Sequence, residues 1–169
     1  MFLDESRCNT DMTRRYAYSL GGSRAVDSAP LSKPKNTTIL SSIQFDGTLR
    51  YTTFSGGTTV ERFKRYLETD LLPHLNGNSV LIMDNMKSHH AKAVKNLLDS
   101  SEIRYIYLPP YSPDLNPIEK LWSKVKSFLR KFKARTLDAL PNTIQCAFQT
   151  VSPSNCSGWF HSCGYPPYF

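Results

Sequence analysis

Three carboxylates in this 169-residue sequence stand where acids could do chemistry. Asp4 follows the apolar Met1-Phe2-Leu3. Asp84 ends the run Val80-Leu81-Ile82-Met83. Glu119 comes after the proline-dense stretch LPPYSPDLNPIEKLW, residues 108–122. Two divalent ions roughly 3.5–4 Å apart can activate an attacking oxygen and stabilise a leaving one in phosphoryl transfer. Mg²⁺ takes only one or two protein carboxylates per ion, so such a site needs about three acids on rigid elements. Two aspartates at strand ends and a glutamate at a helix start would supply them.

Glu119 also has a plainer explanation. Asn116 is a good N-cap, Pro117 suits the first helical position, and Asn-x-x-Glu resembles a capping box. In that case the glutamate does nothing but bond the cap's backbone N–H. A helical wheel adds that Ile118, Leu121, Trp122, Val125, Leu129 and Phe132 form one apolar stripe. Glu119 shares the opposite flank with Ser123, Lys126, Arg130 and Lys133. A fixed acid thus begins a basic ridge of the kind that suits a phosphate backbone, although such a ridge can equally be a solvated face. The helix dipole at this end favours the ionised carboxylate that a metal ligand must be.

The elements that must position these acids follow from periodicity. Met1 to Leu3 is too short for a full strand ahead of Asp4. Residues 23–37 are rich in Ser, Pro and Lys and read as a loop. Thr38–Phe45 and Leu49–Phe54 form β-like runs around Asp46-Gly47, a strong hairpin signal. Thr58 or Thr59 caps a helix carrying Val60, Phe63, Leu67, Leu71 and Leu75. A buried parallel strand ends at Met83, a helix spans about His90–Leu98, and a second strand spans Ile103–Leu108. Helices over 117–132 and 137–150 follow, and the tail SGWFHSCGYPPYF reads as irregular. The order predicts an α/β fold in which an antiparallel meander feeds βαβ units. In such sheets reacting groups gather at the carboxyl ends of the strands, where Asp4 and Asp84 are expected.

Length allows one domain with a core, over residues 1–169. Twenty-one Lys and Arg against 14 Asp and Glu give a net charge of +7, which favours polyanionic partners, nucleic acid first. No window approaches a membrane span and the acidic N-terminus is unlike a signal peptide. A cytoplasmic chain with four unpaired cysteines is expected. Cys156, His161 and Cys163 lack the pairing and fourth ligand of an ordinary zinc site.

Asp4-Glu5-Ser6, Met83-Asp84-Asn85 with His89, and LPPYSPDLNPIEKLW closely resemble the catalytic core of bacterial insertion-sequence transposases, DDE enzymes of the mariner-like superfamily. Thirty-four residues separate Asp84 from Glu119, the family's spacing. Asp114 would leave 29 and is read as a loop residue. The resemblance runs to the tail GWFHSCGY at 158–165. It implies a ribonuclease H-like fold, with a mixed sheet of about five strands flanked by helices. Asp4, Asp84 and Glu119 are then the catalytic acids and the ligands of two Mg²⁺ or Mn²⁺ ions. The implied reaction is hydrolysis at transposon ends, followed by transfer of the freed 3′-hydroxyl into target double-stranded DNA. A homodimer in the synaptic complex and a nucleoid location are implied with it. Asn85 and His89 match positions after the second aspartate, where they support the acids, touch DNA or cap the helix near His90. Arg14, Arg15, Lys126, Arg130 and Lys133 are the DNA-phosphate candidates, with a solvated loop as the other reading of the two arginines.

Relatives carry helix-turn-helix domains ahead of the core, and this chain is expected to lack them. An upstream-frame helix-turn-helix product is therefore an expected partner. Two other readings stay open: an idle transposase fragment that binds DNA or modulates the full-length enzyme, and a stand-alone ribonuclease H-like nuclease.

Overall fold

The computed structural model describes residues 1–14, 16–28 and 36–165. Five strands form one mixed sheet: β1 (Phe2–Asn9), β2 (Asn36–Ile43), β3 (Leu49–Ser55), β4 (Val80–Met83) and β5 (Arg104–Tyr107). Their spatial order is β3-β2-β1-β4-β5. The first three are antiparallel, in register from Phe2 opposite Ile43 to Asn9 opposite Asn36. β4 runs parallel to β1, with Leu3 beside Met83, and β5 runs parallel to β4. The meander and the parallel pairs are those the sequence predicts.

β1 corrects one expectation. It is a full eight-residue strand, so Asp4 lies inside it rather than at its end. The apolar run is short because β1 alternates, and alternation sends successive side chains to opposite faces. Phe2 and Cys8 join the core cluster of one face and Leu3 joins that of the other. Asp4 and Glu5 therefore leave the strand on opposite sides. β1 keeps β2 as a partner throughout, while its parallel pairing with β4 ends at Leu3 and Met83. Beyond that pair the register brings Asp4 next to Asp84.

One face packs α1 (Val60–Tyr66) and α2 (Lys92–Ser100) through Phe63, Tyr66, Val94 and Leu98. Thr59 caps α1 by accepting from the Arg62 N–H. The other face packs α3 (Ile118–Phe132), α4 (Ala139–Gln149) and α5 (Pro153–Ser162). Helix α5 is a second correction, because the tail is helical rather than irregular. Ser152 and Asn155 form a reciprocal capping box and Pro153 occupies the first turn, which offsets a weakly amphipathic sequence. Phe160 packs edge-on to Phe2 and Phe45.

The hairpin turn at Asp46-Gly47 forms as expected, with Gly47 at φ +92° and Pro153 of α5 packed against it. Residues 16–28 contain neither helix nor strand, in line with a loop, and Asn36 and Thr37 belong to β2. No helix among the described residues is long and apolar enough to cross a membrane.

Candidate active site

Asp84 is the residue after β4, and Asp4 sits beside it on β1. Asp4 is 6% exposed. Its Oδ2 accepts the indole N–H of Trp122 at 3.1 Å, and its Oδ1 accepts the Glu5 backbone N–H at 2.7 Å. Burial, followed by the charges of Asp84 and Glu5, pushes its pKa up to about 7 in spite of those two donors. Asp4 therefore holds a proton to a higher pH than a free carboxyl does.

Asp84 is held from its own loop. Its Oδ1 accepts from the Met86 N–H at 3.2 Å and lies 2.8 Å from His89 Nδ1, which also faces the Asp84 backbone carbonyl at 3.2 Å. The fully buried His89 ring stacks on Phe63, with centroids 4.2 Å apart, and the His89 backbone carbonyl accepts the Tyr107 hydroxyl. The ring Nε2 faces both carboxylate oxygens of Glu5, at 3.2 and 3.1 Å. Burial opposes charge on this ring, but the hydrogen bonds to Asp84 and Glu5 overcome it and raise the pKa to about 10. Asn85 is exposed and bonds the His90 ring, which packs on Tyr107.

Helix α2 starts at Lys92 with Ala91 before it and no side-chain cap. His89 and Asn85 therefore do not cap it, and His89 contacts Asp84 instead. Glu5 is the residue that sequence reasoning missed. The alternation of β1 was the available signal, since it sends Glu5 to the face that also receives His89.

Glu119 lies in the first turn of α3 and is exposed. The capping box is not made. Pro117 precedes the first helical residue without a side-chain cap, and Asn116 is buried with its Oδ1 unpaired among the described residues. Glu119 is thus free of the role that would have explained it away. One turn later on the same helix, Trp122 anchors α3 to Asp4, so the helix bearing Glu119 is tied to β1 through that bond.

Asp4, Asp84 and Glu119 thus occupy adjacent strands and a helix docked on one of them. The described residues that bring three potential ligand atoms within 4.8 Å of one another are instead Glu5, Asp84 and His89. Both His89 nitrogens already face acceptors, Nδ1 the Asp84 carbonyl and carboxylate and Nε2 the Glu5 carboxylate.

The DNA-phosphate candidates fare unequally. Arg14 is exposed in the loop after β1, and Arg15 lies outside the described residues. Arg130 is half-buried. Lys126 is also half-buried, close enough to Cys8 to offset part of the rise that burial gives that thiol. Lys133 is the left-handed residue closing α3 and forms an ion pair with Asp27.

Comparison with known proteins fits this geometry. The chain is 27% identical to the Tc1 transposable-element transposase of Caenorhabditis elegans over 97 residues. That match takes in 55% of this chain and 36% of the relative, so the chain spans about a third of its length. The Mos1 transposase paired-end complex with the left transposon end superposes with a TM-score of 0.80 at 19% identity. The superposition covers 96% of this chain and 51% of that one. Mos1 paired-end complexes with Mn and with Mg superpose at TM-scores of 0.71 and 0.72, with 19% and 18% identity. Each covers 96% of this chain and 51% of the other. At such identities the likeness carries the fold, which is the ribonuclease H-like fold of those catalytic domains. The family described as DDE superfamily endonuclease matches residues 1–141, five-sixths of the chain, and to that family this chain belongs.

Proposed function

We propose that the chain is the catalytic core of a transposase of the mariner and Tc1 type. It cleaves DNA at transposon ends and transfers the 3′-hydroxyl strand into a target duplex. Asp4, Asp84 and Glu119 are its catalytic acids and the ligands of two divalent ions, Mg²⁺ or Mn²⁺. The observation that carries this reading is the pair of aspartates side by side at the junction of β1 and β4, with Asp4 buried and within reach of the Asp84 charge. The donor set fits hard cations, since all three residues offer carboxylate oxygens. When bound, the ions would lower the pKa of an attacking hydroxyl or water and stabilise the departing oxygen.

The chain's own residues supply the positioning. Trp122 and the Glu5 N–H fix the two oxygens of Asp4. His89 and the Met86 N–H fix Oδ1 of Asp84. The prolines at 109, 110, 113 and 117 restrict the segment that delivers Glu119, so little conformational freedom remains to be lost when it closes on the site. A net charge of +7 supports a nucleic-acid substrate. Arg14, Arg15, Lys126 and Arg130 are the proposed phosphate contacts, while Lys133 must first leave Asp27. Recognition of specific ends is assigned to a helix-turn-helix region supplied with the core, and synapsis to a homodimer at the nucleoid.

Nicking of labelled duplex DNA tests this reading. Cleavage that requires Mg²⁺ or Mn²⁺ and falls at least ~100-fold in Asp84→Asn and in Glu119→Gln is the expected result. Cleavage that survives either substitution contradicts the assignment.

A further inference from the structure

Glu5, Asp84 and His89 offer two readings. Their ligand atoms lie within 4.8 Å of one another, as a metal site would require. The hydrogen-bond pattern points elsewhere. Nδ1 of His89 faces the Asp84 carboxylate Oδ1 at 2.8 Å and the Asp84 carbonyl at 3.2 Å, and Nε2 faces both Glu5 oxygens. A carboxylate or carbonyl can only accept, so both ring nitrogens donate. A ligating nitrogen would need a lone pair instead. The ring is fully buried and stacked on Phe63, which holds its two nitrogens toward these acceptors.

We infer that Glu5 and His89 form a clasp that fixes the Asp84 carboxylate through its Oδ1 and leaves Oδ2 for a divalent cation. This rests on the proposed role of Asp84. Among the described residues Oδ2 accepts no hydrogen bond, whereas Oδ1 accepts the Met86 N–H and lies 2.8 Å from Nδ1 of His89. Glu5 sits next to Asp4 in sequence but on the opposite face of β1, so its charge is spent on His89 and it does not compete for the ion. It is a positioning residue, acting on Asp84 through His89. Partners that orient a ligand in this way typically matter 10–100-fold in metal affinity.

Mn²⁺ binding, measured by electron paramagnetic resonance beside the thermal midpoint of each variant, separates the possibilities. Wild-type chain binds Mn²⁺ and Asp84→Asn loses that binding. If Asp84→Asn binds as wild type does, the proposed site fails and the clasp fails with it. Glu5→Gln keeps an oxygen acceptor for the Nε2–H and binds close to wild type. Glu5→Leu and His89→Gln weaken binding by about 10- to 100-fold at a similar thermal midpoint. Wild-type affinity in Glu5→Leu, or loss in Glu5→Gln as complete as in Asp84→Asn, overturns the clasp. Nitrogen-15 spectra of the four histidines, taken on wild-type chain with saturating Mg²⁺, need no variant to fold. Two retained N–H groups on His89 support the clasp, and loss of either overturns it.

Discussion

Trp122→Phe removes the one side-chain donor among the described residues that reaches Asp4, while keeping an aromatic ring in the core. The bond is 3.1 Å long, between an indole 3% exposed and a carboxylate 6% exposed. A buried hydrogen bond to a charged group is worth about 1.5–3 kcal/mol, and the smaller ring leaves a gap that adds to the loss. A destabilisation of ~2–4 kcal/mol in urea unfolding is expected. The loss has a signature in pH. Trp122 donates to the ionised form and so lowers the pKa of Asp4, which burial and neighbouring charge still leave at about 7. Above that pH the bond meets a carboxylate, and well below it a neutral acid. The penalty is therefore larger at pH 8 than at pH 5. A double-mutant cycle with Asp4→Ala isolates the pair, and coupling of at least ~1 kcal/mol at pH 8 is expected. A penalty independent of pH, or additive with Asp4→Ala to within about 0.5 kcal/mol, would refute the claim that Trp122 anchors α3 through Asp4.

Stability of the metal-free chain falls as pH rises. Asp4, ordinarily ionised above 3.8, stays protonated up to about 7 when folded, so the folded chain holds the extra proton between those values and loses stability across them. His89, raised from 6.5 to about 10, contributes stability fully present below pH 6.5 and lost as pH passes through about 10. Melts at pH 5 and pH 9 check this, with the lower midpoint expected at pH 9. Leu129→Ala opens a cavity beneath α3 and costs about 2–5 kcal/mol by denaturant unfolding. Gly47→Ala places a methyl 2.8 Å from the Pro153 backbone at φ +92°, so the thermal midpoint drops while Mn²⁺ affinity of the folded fraction is kept. Native thiol titration labels the exposed Cys146 first, ahead of the buried Cys8, whose thiol burial pushes up to about 11.

Much of the sheet was legible because its signals are local. Asp46-Gly47 marks the hairpin, and the short apolar run Val80-Leu81-Ile82-Met83 suits a parallel strand, which it forms. The stripe Ile118, Leu121, Trp122, Val125, Leu129 marks α3 and is buried, whereas Phe132, expected to extend it, is exposed at the helix end. Failures came where pairing overrides local pattern. β1 carries Asp4, Glu5, Ser6 and Arg7, so an apolar-run criterion stops at Leu3, but β2 pairs its whole length. Helix α5 has almost no amphipathic period and is set by its capping box and by Phe160 meeting Phe2. Asp84 and Glu119 stand at the element boundaries expected of them, just after β4 and in the first turn of α3. Glu5 was not legible, since its role depends on His89, 84 positions away.

The central claim is that segments around residues 4, 84 and 119 close on one divalent-metal site. Fe²⁺ bound in place of Mg²⁺, with ascorbate and peroxide, cuts backbone within reach of the ion. The account predicts cuts beside Asp84 and Glu119 that Mg²⁺ suppresses and that disappear together in Asp84→Asn. Cuts confined to other segments, or a cut at Glu119 that persists without Asp84, would contradict it.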